Sequence, residues 1–248
     1  MIKRMKALIW LRNQILLSNK NLLVQILLPY LLVLLYKNFM GAQAKGMTLM
    51  FICLSTAISM SVGSMISTII AEEKEKNNLK TLLLSGVRYH EYILSVLVHP
   101  IIITIITMVS FPMLTGVTLG DKLLPYIVVV LLTALAVMLI NLSIGLLSAT
   151  QSKAQINGLP ILFMVSLLPI FSSMKEGVKE FIDYTFMSSY TDFFTKADFS
   201  LTDASIWVLL IWNLGVLALA FLAMKKSKKM SESALEKRTR MPLFVKKA

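Results

Sequence analysis

The residues best suited to a chemical role form one short charged run, Glu72-Glu73-Lys74-Glu75-Lys76. Three leucines follow it at helical spacing, and they fall on one side of a helix while Lys80, Thr81 and Ser85 fall on the other. The run can form ion pairs with a partner in the water, or pairs within its own helix between residues three or four positions apart. The stretch 71–87 is therefore predicted to be a surface helix whose partner is to be identified. Its leucines are Leu79, Leu82 and Leu83.

The composition places this stretch between membrane spans. The chain has 248 residues, of which 56% are hydrophobic and only 15% charged, too few polar residues to cover soluble domains. About 20 apolar residues cross a hydrocarbon core, and the uncharged runs are long enough to do so. The sequence thus predicts an all-α membrane protein with six transmembrane helices. The predicted spans are 21–37, 47–71, 93–119, 123–150, 157–174 and 204–224.

The basic residues predict the orientation of these spans. With the N-terminus inside, the inside segments hold 19 of the 25 Lys and Arg residues. This asymmetry predicts an N-in, C-in topology by the positive-inside rule, and it accounts for most of the net charge of +12. Nucleic-acid binding is therefore not expected. The cytoplasmic segments are an interfacial helix at 1–20, a charged segment at 72–92, the link 151–157 and a basic tail at 225–248.

The longest outside segment, 175–203, mixes acidic and aromatic residues and is too aromatic for a solvated linker. Short helices lying in or dipping into the outer leaflet account for this composition. They could form a lid over an exit or an interfacial cap, and the sequence does not choose between these. The candidates for an outer gate are Phe181, Tyr184, Phe193 and Phe194.

The second span carries small side chains at every fourth position, which form one narrow stripe. In lipid such a stripe lets helix backbones approach closely. Helix packing is the favoured interpretation and a pathway-lining face the alternative. Asn141 and Asn157 are polar groups in later spans with the same two interpretations. The stripe consists of Ser55, Ser59, Gly63, Ser67 and Ala71.

Several kinds of chemistry are absent from the sequence. It contains no P-loop, no H-E-x-x-H, no C-x-x-C and no G-x-S-x-G motif, and its spans carry no acidic residue for ion coupling. No catalytic, cofactor-binding or metal-binding residues are predicted, so the chain is not expected to be an enzyme. If it moves anything uphill, the energy must come from another polypeptide.

The segment Glu73–Gly86 resembles the charged, leucine-rich segment that follows the second span in permeases of the ABC-2 type. Glu73 and Glu75 match its acidic positions, Lys74 and Lys76 its basic ones, and the three leucines its leucines. Asn77-Asn78 replaces Gly-Thr, Gly86 replaces Pro, and Ser95-Val96 stands where many members have Gly-Lys. The layout of interfacial helix, six spans and aromatic outer segment extends the resemblance over the whole chain.

The resemblance implies a half-transporter, similar to type V exporters, without an ATPase of its own. Its expected partners are two copies of an ABC ATPase subunit, which would bind ATP and Mg, and a second permease subunit in a homodimer or heterodimer. Membrane lipid surrounds it. The expected coupling residues are Glu72, Glu73, Lys74, Glu75, Lys76, Leu79, Leu82 and Leu83.

The resemblance also implies export of an amphipathic or hydrophobic substrate, such as a peptide, drug or lipid, by alternating access. The Lys-, Ile- and Met-rich composition resembles permeases of low-GC Gram-positive bacteria, including exporters of cytolytic peptides, and implies the cell membrane as location. The alternative is a non-transport membrane protein that confers immunity to a toxic peptide or senses it, binding it with the outer aromatic segment.

Overall fold

The computed structural model describes residues 2–39, 46–172 and 176–239, and in these ranges the chain is helical with no strand. A π-helical turn, Ile58–Ser64, joins the third helix to the fourth, and a short 3-10 turn, Gly120–Lys122, precedes the seventh. The helices are Ile2–Ser18 (α1), Lys20–Phe39 (α2), Met47–Ala57 (α3), Met65–Glu75 (α4), Asn78–Leu84 (α5), Tyr89–Thr115 (α6), Leu123–Leu147 (α7), Gln151–Ser166 (α8), Leu168–Ser172 (α9), Glu176–Asp183 (α10), Ser188–Thr195 (α11) and Ala204–Thr239 (α12).

The prediction of an all-α chain with six membrane spans is confirmed. Six helices of the described residues are long and apolar enough to cross a membrane. The third begins at Tyr89 and the fifth at Gln151, before the predicted positions 93 and 157, because Glu91 and Thr150 bind free backbone N–H groups where these helices start. The six helices are Lys20–Phe39, Met47–Glu75, Tyr89–Thr115, Gly120–Leu147, Gln151–Ser172 and Ala204–Met230.

The second span lies at the centre of the bundle. In its most apolar window 78% of the residues are buried, compared with 17% in the first span and 22% in the fifth. Its π-helical turn brings the Ser61 hydroxyl to 2.8 Å from the Gln25 carbonyl of α2. π-Helical turns inside α-helices occur frequently at functional sites. The first, third, fourth and fifth spans pack against it, whereas the sixth packs on α7. Any displacement of the second span must therefore displace these four neighbours.

The stripe of small residues is where α7 packs against the second span. A Cβ atom added at Gly63 would lie 2.6 Å from the Asn141 amide nitrogen, and one added at Gly145 would lie 2.9 Å from the Ser67 Cα. Neither distance leaves room for a side chain. The small residues therefore permit the close helix–helix approach that the sequence suggested.

Aromatic side chains close the opposite end of the bundle from α1 and α5. The Tyr190 hydroxyl of α11 donates a hydrogen bond of 2.7 Å to the Phe51 carbonyl of α3. Phe193 lies at the centre of this cluster, with ring centroids of Tyr126, Phe194 and Phe199 5.0–5.9 Å away. The segment 175–203 thus packs on the bundle through α11.

Two parts of the predicted organisation extend beyond the described residues. The last helix continues from the sixth span to Thr239, so it includes the first part of the basic tail, while residues 240–248 lie outside the description. Residues 173–175, at the junction of the fifth span and the outer segment, also lie outside it.

Replacing Gly145 by Ala tests the close packing of α7 on the second span. Alanine normally stabilises a helix interior by up to about 1 kcal/mol relative to glycine. Here the added Cβ meets backbone at 2.9 Å, so we expect a loss of about 1–3 kcal/mol in the free energy of unfolding.

Thermal unfolding of the purified protein in detergent measures this loss. Gly215→Ala in α12 is the matched control, because a Cβ there meets nothing within 4 Å and should leave stability equal or higher. A stable Gly145→Ala variant would contradict the packing described here.

Candidate functional site

A buried ion pair joins the first helix of the chain to the charged run. Arg12 of α1 and Glu73 of α4 are only 2% and 3% exposed, and the Nη1 of Arg12 donates directly to Oε1 of Glu73. Burying two charges costs several kcal/mol each unless their attraction and further hydrogen bonds compensate. The surrounding residues provide such hydrogen bonds.

These bonds come from the start of α6. The Tyr92 hydroxyl donates a 2.7 Å hydrogen bond to Oε2 of Glu73, and the Arg12 Nε donates to the Ser95 hydroxyl at 3.4 Å. The Arg12 guanidinium also lies 5.1 Å from the centroid of the Tyr92 ring, at cation–π distance. The ion pair therefore fastens three elements together: α1, the second span and the third span.

The next two residues of the run bind the ends of two other helices. The Lys74 ammonium donates to the carbonyls of Leu146 and Ser148, at 2.7 and 2.6 Å, where α7 ends. The Glu75 carboxylate accepts the N–H of Gln151, at 2.8 Å, where α8 begins. Helix ends leave such groups without intrahelical partners, and a cation at the C-terminus and an anion at the N-terminus also complement the helix dipole.

Glu72 and Lys76 complete the run on its more exposed side. The Lys76 ammonium donates a 2.5 Å hydrogen bond to Oε1 of Glu72, and the Asn19 amide donates to Oε2 at 3.2 Å. The hydrogen bond to Glu72 and the charge of its carboxylate raise the pKa of Lys76. Asn19 lies at the break between α1 and α2, so this carboxylate also contacts that junction.

The leucine half of the segment packs inward. Leu79 is buried, and Leu82 and Leu83 pack half-buried against the core, whereas Leu84 is 70% exposed. The helix α5 ends in a Schellman motif, in which Val87 N–H binds the Leu82 carbonyl. Gly86 has a positive φ of 88° there, which explains a glycine at this position.

A polar groove runs beside this segment and measures about 390 Å³. It lies between the α1–α2 junction and the start of α5, and it opens at the same end of the bundle. Its polar lining comes from Asn19, Lys20, Glu72, Lys76 and Asn78.

The residues predicted for packing or a pathway separate into two groups. Ser55 donates only to a carbonyl of its own helix, Ile52, and Asn157 donates to the Ser148 hydroxyl at 3.4 Å. A second group surrounds a cavity of about 250 Å³ between spans one, two, four and five. Its polar lining includes Gln25, Ser59, Ser64, Ser67, Asn141 and Gln155.

The four candidates for an outer gate lie in different environments. Phe193 and Phe194 belong to the packed aromatic cluster. Phe181 and Tyr184 are 59% and 79% exposed on and after α10. The nearby Lys196 has a raised pKa because it donates a hydrogen bond to Asp192.

Sequence reasoning missed the roles of Arg12, Tyr92 and Ser95. Arg12 was one of five basic residues in a helix whose charges did not cluster, and nothing in its neighbourhood indicates a carboxylate partner. The available signal was the placement of Tyr92 and Ser95 three residues apart at the start of a span, which puts them on one helix face. In the described part of the chain no group of three His, Cys, Asp or Glu side chains could hold a metal ion.

Single and double replacements test the buried ion pair. We expect Arg12→Met or Glu73→Met alone to lower the free energy of unfolding by about 3–5 kcal/mol, because each leaves a buried charge unpaired. The double variant should lose much less than the sum of the two, since no charge is then stranded. Unfolding of the four proteins in detergent gives the coupling energy.

Lys76→Met is the control for this cycle, because its exposed pair with Glu72 should contribute less than about 1 kcal/mol. Additive losses from the two single variants would mean that Arg12 and Glu73 do not depend on one another.

Comparison with known proteins agrees with this architecture. No curated protein and no solved structure matches the chain. Residues 6–224 match the sequence model of a family described as ABC-2 family transporter protein. The match covers all six spans and the charged run between the second and the third, and the chain therefore belongs to the ABC-2 family of transporter proteins, as a multi-pass membrane subunit.

Proposed function

We propose that this chain is the permease subunit of an ATP-driven exporter and that the segment 72–92 couples it to an ATPase. One observation carries the proposal: a run of five charged residues contacts α1, the starts of α6 and α8, the end of α7 and the α1–α2 junction. Through these contacts, a force applied beside this run would be transmitted to most of the spans at the same time. An exporter driven from outside the membrane needs such an element.

The contacts separate the residues that hold the segment on the bundle from the exposed residues at its tip. This division does not follow the charge pattern. Glu73 and Lys74 are used within the chain, so we no longer assign them a direct contact with the ATPase. The exposed residues at the tip, Lys76, Asn78 and Thr81, form the docking surface in this proposal. The groove of Asn19, Lys20 and Glu72 next to it accepts side chains of the partner.

Each half of the transporter would receive its own ATPase subunit, which binds ATP and Mg and hydrolyses the nucleotide. Closure of the two ATPases moves the coupling segments of the two permease subunits. Because Leu79 and the buried ion pair hold the segment on the bundle, the spans move with it as rigid bodies.

The cavity between spans one, two, four and five is the proposed entry to the substrate pathway. Its lining mixes Ser59, Gln155 and Asn141 with Met60 and Leu162, which suits an amphipathic or hydrophobic substrate. The sparsely buried first and fifth spans flank it. A second permease subunit, identical or different, packs against them and closes the pathway.

Substitutions at the exposed tip test the coupling. In a complex reconstituted with the partner ATPase, we expect Lys76→Glu with Thr81→Trp to reduce ATPase stimulation and transport by on the order of 10-fold. Both side chains are exposed, so the melting temperature of the permease should not change.

The control is Asp198→Lys with Ser200→Trp, equally exposed residues in the outer segment, which should leave ATPase activity unchanged. Full stimulation by the tip variant would refute coupling through this segment. Protection of cells against a toxic peptide that persists with a catalytically inactive ATPase would instead support the immunity function.

A further inference from the structure

A second cavity at the coupling end of the bundle lies between α5, the start of α6 and the end of the sixth span. Its volume is about 540 Å³, larger than that of either cavity described above. Its lining combines basic and apolar side chains. The cavity is lined among others by Arg88, His90, Lys225, Lys228, Leu83 and Phe221.

Arg88 and Lys225 are the two cations of this cavity on which the site depends. Among the described residues no carboxylate forms an ion pair with Arg88 or Lys225. Glu91, which follows in α6, accepts the backbone N–H of Arg88, and its side chain lies 3.9 Å from Arg4. The Lys225 ammonium lies 5.6 Å from the centroid of the Phe221 ring. Arg88 and Lys225 are therefore available to an anion that enters the cavity.

The surface that continues from the cavity is apolar and belongs to the membrane-spanning part of α12. Phe221 is 59% exposed and Leu222 65%, one turn before the lysines begin. Leu84, at the end of α5, is also 70% exposed. An occupant of this site therefore meets cations at one end and a hydrocarbon surface at the other.

We propose that this cavity binds the headgroup phosphate of an anionic phospholipid, whose acyl chains lie along Phe221 and Leu222. Basic pockets between membrane helices are known to bind such headgroups. A water-soluble phosphate compound would satisfy the cations but would leave the apolar wall exposed. The site goes beyond the coupling proposal and does not depend on it.

The position of the lipid has a structural consequence. Leu83 and Arg88 lie at the end of the coupling segment, and Lys225 lies at the end of the sixth span. A bound phosphate attracts the side chains of Arg88 and Lys225, so the lipid joins two parts of the chain that are distant in sequence. The anionic lipid content of the membrane thereby affects how firmly the coupling segment is held.

Native mass spectrometry of the full-length chain in detergent tests the site. The chain is titrated with phosphatidylglycerol, phosphatidylcholine or glycerol phosphate. We expect saturable binding of phosphatidylglycerol, and we expect Arg88→Gln with Lys225→Gln to weaken it on the order of 10-fold.

Lys226→Gln with Lys229→Gln is the matched control, because it also removes two charges and its exposed residues do not line the cavity. It should change the affinity less than about twofold. Equal losses in both variants would show diffuse surface attraction and overturn the proposal, as would unchanged binding in the first variant. Binding of glycerol phosphate as tight as that of phosphatidylglycerol would overturn the assignment to a lipid.

Discussion

The buried ion pair between Arg12 and Glu73 is the interaction on which one end of the bundle, formed by α1, α4 and α5, depends. The helix α1 precedes the first span, and its other polar contacts with the bundle, between Asn13 and His99 and from Arg4 to the Gly86 carbonyl, are exposed. The pair, with Tyr92 and Ser95, fixes α1 to the second and third spans at one point. Either charge would be strongly destabilising if it were buried without the other. The pair therefore also determines which helix surfaces pack together.

The remaining charges of the run extend this junction to the fourth and fifth spans. Lys74 binds the carbonyl end of α7, and Glu75 binds the amide end of α8. Gly63 and Gly145 bring α7 against the second span along much of its length. The segment 72–92 is thus attached to a densely packed centre, and this attachment suits the proposed role of transmitting displacement rather than absorbing it.

Much of this fold could be predicted from the sequence, because the features that define a membrane span can be recognised within the span's own residues. Uncharged runs of sufficient length identify the spans, and the spacing of Leu79, Leu82 and Leu83 identifies the inward face of α5. The small residues of the second span indicated a close contact, and Asn141 proved to lie within it.

The partners of the charged residues could not be predicted in the same way. Arg12 and Glu73 are 61 positions apart, and a charge pattern shows that ion pairs can form without showing which ones do. Glu73 and Glu75 look equivalent in sequence, yet one is buried against Arg12 and the other caps α8. Phe181 and Phe193 are likewise the same residue type in the same aromatic-rich segment, but only Phe193 is buried. These differences arise from the packing of distant helices.

The central claim is that α1 and the segment 72–92 move as one body. Spin labels at Lys6 of α1 and Leu84 of α5, two exposed positions outside the proposed docking surface, measure this directly by electron–electron resonance when the buried Cys53 is replaced by Ala. In the complex with the ATPase, the account predicts one narrow distance distribution that is the same without nucleotide and in the ATP-bound state. A distance that shifts or broadens on ATP binding would show that the two elements move separately, and it would contradict the account.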